Sequence, residues 1–162
     1  MSTATTMSAP LRPELGEFNS IICFKALISG LSEALGPKAA MIAAVAAGRA
    51  RGKKLVSELG LTATSPALDY ATALLQKALG IDGTKLCLID KIEAIEGGYQ
   101  VYCRETICSA GEDQGAATTL SFTQGAIQGA LESMMKQRLR GTQVESVLRG
   151  GTHDVIKFEI FG

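Results

Sequence analysis

Few residues in this chain are placed to do chemistry, and the most suggestive lie in one hairpin. Two runs, 86–95 and 100–107, alternate apolar and polar residues around Glu96-Gly97-Gly98-Tyr99, the pattern of strands joined by a tight glycine turn. Centring the turn on Gly97-Gly98 sets Asp90 opposite Glu105. Buried together, two such carboxylates share a proton, the working part of an acid–base pair or relay. A bulge or a register slip sends one of them to solvent, and that plainer outcome is the favoured reading. The same register opposes Cys87 and Cys108, a disulfide if oxidised. Reduced thiols packed as small hydrophobes are favoured over it.

Nothing else assembles a site by spacing. Cys23, Cys87, Cys103 and Cys108 form no Cys-x-x-Cys pair and lie far along the chain from His153, the one histidine. No metal is expected from them. His153 falls in a glycine turn, where a solvated imidazole is expected. Cys23, one helical turn before Leu27, could carry a lipid or a bilin, although packing as core is the commoner fate. No Gly-x-Ser-x-Gly, His-Glu-x-x-His or dinucleotide glycine fingerprint occurs. An enzyme is therefore the third choice among functions.

The elements that must position these residues are readable from periodicity. Helices are expected at 14–35, 37–59, 66–79 and 121–140, and antiparallel strands at 86–95, 100–107, 143–149 and 154–160. Gly36 ends the first helix, Pro37 opens the second, and Ser65-Pro66 starts the third. Gly48 and Gly52, like Gly125 and Gly129, lie one helical turn apart, so another element can approach closely there. The class is α+β: long helices on a twisted four-stranded antiparallel sheet. Residues 1–12 are expected to be disordered and 13–162 to form a single domain. Sixteen acidic residues balance sixteen basic ones, which argues against a nucleic-acid footprint and a polybasic anchor. Met1 to Pro10 has no apolar stretch of signal-peptide type, and the longest apolar run, Ala39 to Ala47, has nine residues. A span needs about 20, so no membrane insertion and a cytoplasmic location are expected.

Gly125-Ala-Ile-Gln-Gly-Ala-Leu-Glu132, a following strand, a glycine turn and Val155-Ile-Lys-Phe-Glu-Ile160 resemble the C-terminal half of the TRAPP transport-particle subunits. They also resemble the related 4-vinyl-reductase, or hydrocarbon-binding, domains. Ala47-Gly-Arg-Ala-Arg-Gly-Lys-Lys-Leu-Val56 is similar to the glycine-spaced turn of their second long helix, and the order of elements matches from Glu14 onward. The resemblance implies helices packed on a twisted antiparallel sheet and dimerisation through the first helices. Some transport-particle subunits attach an acyl chain to a cysteine late in helix one; Leu31 stands there, so acylation at that point is not implied. Many 4-vinyl-reductase domains place a glutamate and two cysteines near the C-terminus. Glu145 matches the first, but Leu148 and Val155 replace the cysteines, which removes that metal site.

Two functions remain. The first is a non-enzymatic homodimeric module that binds a hydrocarbon or tetrapyrrole, a bound apolar small molecule being its one non-protein component. Cys23, Ile28, Leu31, Phe122, Ile127 and Leu131 would line its pocket. The second is a structural or assembly adaptor with a filled core, joined to protein partners and to its own copy. Helix two is apolar over more than half its circumference from Ala39 to Ala47, which assigns Ile42, Ala43, Val45 and Ala46 to the dimer contact.

Overall fold

The computed structural model describes residues 12–15, 18–61 and 65–162. Most of the segment expected to be disordered, 1–11, lies outside the described residues. In chain order the elements are α1 (Ile21–Leu35), α2 (Pro37–Glu58), α3 (Leu68–Leu79), β1 (Leu88–Ile95), β2 (Gly98–Arg104), α4 (Ser121–Met135), β3 (Leu139–Glu145) and β4 (Asp154–Ile160). All strand pairs are antiparallel, in the order β1-β2-β4-β3.

Helix α4 is the centre of the molecule. From Gly125 through Leu131 every residue is buried, because the helix is covered on both sides. One side packs on the sheet, where Ile127 and Leu131 share a fully buried core with Val101, Ile156 and Phe158. The other side meets α2 backbone to backbone. A Cβ at Gly52 would lie 2.0 Å from the carbonyl oxygen of Ala126, and one at Gly129 would lie 2.1 Å from that of Arg49. Gly48 and Gly125 make the same approach one turn earlier. No residue larger than glycine fits between the helices at these points.

Helix α3 lies against β1 and α4 and buries Ala71, Leu75 and Leu79. It starts at Leu68, two residues after Pro66, with Ala67 rather than Ser65 at the N-cap. Helix α1 packs mainly on α2 and contains no buried residue. It begins at Ile21 rather than near Glu14, because Ser20 caps it: the Ser20 hydroxyl accepts from Ile22 N at 3.2 Å. Gly36, at φ 83°, separates α1 from α2, and Pro37 occupies the first turn of α2 as expected.

The C-terminal strands start earlier than periodicity suggests. Helix α4 stops at Met135 because Lys136 adopts a left-handed φ of 56°, and the chain re-enters the sheet at Leu139. Gly141, expected as a helix cap, instead sits in β3 opposite Phe158. The expected strand over 143–149 ends at Glu145, and Val147–Arg149 forms a 3-10 turn capped by the Ser146 hydroxyl. Strand β4 falls where the alternation of Val155 to Ile160 puts it.

Candidate functional site

The hairpin does not build a carboxylate pair. Its turn residues are Glu96 and Gly97, with Ile95 opposite Gly98, and a bulge at Asp90 shifts the register again. The bulge lets Ile89 and Ile92 both face the core, whereas Asp90 turns to the exposed side. There Arg104 grips it with two bonds, Nε to Oδ2 at 2.5 Å and Nη2 to Oδ1 at 2.8 Å, and His153 Nε2 lies 2.9 Å from Oδ2. The Arg104 guanidinium, aided by His153, holds the carboxyl down at about 2. A proton-sharing pair requires the opposite shift. Glu105, beyond the end of β2, is exposed at φ 50°.

The cysteines also part differently. Cys87 and Cys103 meet in the core, and the Cys87 contact together with burial pushes the Cys103 thiol up, so it stays protonated. Cys108 Sγ lies 3.4 Å from Thr123 Oγ1, and Cys23 is exposed. Leu148 and Val155 are buried, and Glu145 accepts from Thr152 N at 3.1 Å. Among the described residues no group of three or more His, Cys, Asp or Glu side chains is placed to hold a metal.

A cavity of about 470 Å³ opens between α1, the start of α2 and the 108–121 loop. Phe24, Ile28, Ala40 and Met41 supply apolar wall; Lys25, Glu112 and Thr118 form a polar end beside Cys108. Lys25 ion-pairs with Glu112 and donates to the Cys108 carbonyl oxygen at 2.8 Å. Thr118 Oγ1 donates to Glu112 Oε2 at 2.7 Å. Lys25 first, then Thr118, keeps the Glu112 carboxyl below its ordinary range, so Glu112 is a carboxylate at neutral pH. Above it, the Phe24 and Phe122 rings meet edge to face at 5.4 Å and tie α1 to α4. The arrangement is a hollow of mixed character, with apolar side chains from α1 and α2 beside charged and hydroxyl groups.

Of the residues assigned to the pocket from sequence, Ile28 lines this cavity and Phe122 touches its wall through Phe24. Leu31 is half-buried on α1, whereas Ile127 and Leu131 lie in the main core. Sequence reasoning missed Phe24, Lys25, Met41, Cys108 and Glu112. One signal was present, since Lys25 is the only cation in a helix whose first two turns are otherwise apolar. Ile42, Ala43 and Ala46 are exposed on α2, and Val45 is half-buried.

No family model matches the sequence, and no curated protein does. Solved structures do match in shape. The phenol-responsive sensory domain of the transcription activator PoxR, crystallised with phenol, superposes with a TM-score of 0.66, covering 89% of this chain and 76% of its own. Subunit 3 of the trafficking protein particle complex of Naegleria fowleri, covalently bound to palmitic acid, gives 0.59, covering 88% and 93%. The fold is theirs. It is the fold that the glycine-spaced helices and the C-terminal strand pair resembled. Each neighbour is 16% identical to this chain, so the likeness is one of architecture and not of site residues.

Proposed function

We propose that the protein is a non-enzymatic binding module for a small, largely apolar molecule and works as a homodimer. The observation that carries the reading is the cavity under α1, which joins apolar wall from Phe24, Ile28, Ala40 and Met41 to the Lys25–Glu112 pair and to serine and threonine side chains. Its size falls within the ~300–1,000 Å³ of small-molecule sites. Two proteins of the same fold hold phenol and palmitic acid, which supports the class of ligand without identifying it. Ile28 and Phe122 are the sequence-assigned residues best placed to contact it; Cys23 and Leu31 would serve through the remainder of α1.

The dimer half rests on uncovered surface. Ile22 is 75% exposed, Leu27 60% and Ile42 57%, on adjacent helices that nothing else among the described residues covers. That same surface is what favours the second reading, an assembly adaptor that docks protein partners and needs no ligand. Native mass spectrometry of the purified protein separates the two, because it reads retained ligand and subunit number together. A dimer carrying a small molecule supports the first. A dimer that stays empty, and binds neither phenol nor palmitate when offered, supports the adaptor.

A further inference from the structure

The second half of α2 holds the chain's densest run of cations, Arg49, Arg51, Lys53 and Lys54. Where that run passes the end of α4, a polar cavity of about 370 Å³ opens between α2 and the 133–138 segment. Four cations line it, Arg49, Lys53, Lys136 and Arg138, against one carboxylate, Glu132. That carboxylate is fully engaged. Its Oε2 accepts from Arg49 Nε at 2.7 Å, with Lys53 Nζ 3.8 Å away. Its Oε1 accepts from Arg49 Nη2 at 2.9 Å, Leu139 N at 3.1 Å and Gln128 Nε2 at 3.3 Å. The amide oxygen of Gln137, also on the wall, is held by the Tyr99 hydroxyl, which leaves its NH2 as the available group.

The wall therefore offers donors and positive charge, while its side-chain carboxylate and amide acceptors are already used. Arg49 is spent on Glu132 and the C-terminal end of α4 offsets about half a unit more, so the cationic surplus rests on Lys53 and on Arg138, which also lies over the Phe161 ring at 4.9 Å. Guanidinium and ammonium groups around a polar hollow match an oxyanion of more than one charge. We propose that this cavity binds a compact phosphate monoester or diphosphate group, carried on a soluble metabolite or on a lipid headgroup. It shares no lining residue with the cavity under α1, so it stands or falls independently of the function proposed above.

Calorimetric titration with inorganic pyrophosphate tests the soluble source, and co-sedimentation with phosphatidic acid against phosphatidylcholine vesicles tests the headgroup. The expected result is saturable binding to one of the two probes, weakened at least about tenfold by joint Lys53→Gln and Arg138→Gln substitution. Lys53→Arg should retain binding. A matched pair on the sheet, Lys91→Gln with Lys157→Gln, removes the same charge elsewhere and should leave affinity unchanged. Thermal unfolding of both double variants checks that they are folded. Binding to neither probe at about 10 mM overturns the proposal. So does equal weakening by the two double variants, which would mark general charge attraction.

Discussion

Asp90 shows how one residue changes the chemistry of a strand. Alternation around Leu88-Ile89-Asp90-Lys91-Ile92 fits two registers equally well, because the side-chain period of a strand is two and a bulge adds one. Only the completed sheet decides between them, and it puts the carboxyl beside Arg104 instead of Glu105. The folded value of about 2 lies below the ordinary 3.8. The stability this contact adds is therefore complete above about pH 3.8 and disappears as pH falls through about 2. A carboxyl-carbon NMR titration should place the Asp90 midpoint near the lower figure, and Arg104→Gln should move it upward. A wild-type midpoint at the ordinary value would show that the two-bond grip does not persist in solution. The Lys25–Glu112 pair was out of reach of sequence reasoning for another reason. Its partners belong to segments joined only by the packing of α1 over the 108–121 loop, and no local pattern records that.

At the scale of elements, the sequence was most informative where a residue type has one physical use. Gly36-Pro37 divides α1 from α2 as expected, and the spacing of the glycine pairs alone marks the α2–α4 contact. The end of α4 was hidden because Lys136 to Arg140 are all good helix formers. Pairing of β3 with β4 overrides that preference and bends the chain at Lys136. The glycine reading yields a paired prediction. Gly52→Ala should lower stability by about 3 kcal/mol or more, since the methyl collides with backbone that cannot turn aside. Gly30→Ala on α1 meets nothing within 4 Å and should raise stability by about 0.5–1 kcal/mol. Urea unfolding of the two variants checks both signs, and a mild effect at Gly52 would mean that the helices are farther apart than described.

The whole molecule is lopsided. Its sheet and α3 close around α4, while α1 and the first half of α2 keep large apolar side chains in the open. Among the described residues no helix is long and apolar enough to cross a membrane. A second copy is the proposed cover. Ile42→Glu should then convert a dimer to a monomer in sedimentation at micromolar concentration, and Lys54→Glu, on the exposed cationic side, should not. A wild-type monomer under the same conditions would remove the homodimer from the proposal and leave the surface to other partners.

The glycine contact between α2 and α4 has one more property: it admits a single alignment. Sliding α2 by one turn, about 5.4 Å, would bring glycine to one crowded point but Ala44 or Val56 to the other, where only glycine fits. Shape alone thus gives the joint one notch. Arg49 on Glu132, a two-bond clasp, belongs to that same notch. Arg49→Leu combined with Glu132→Leu removes the clasp and leaves the notch. That variant should stay folded and show a single set of amide NMR signals along α2, whereas doubled signals would mean that the clasp, and not the glycine spacing, selects the alignment.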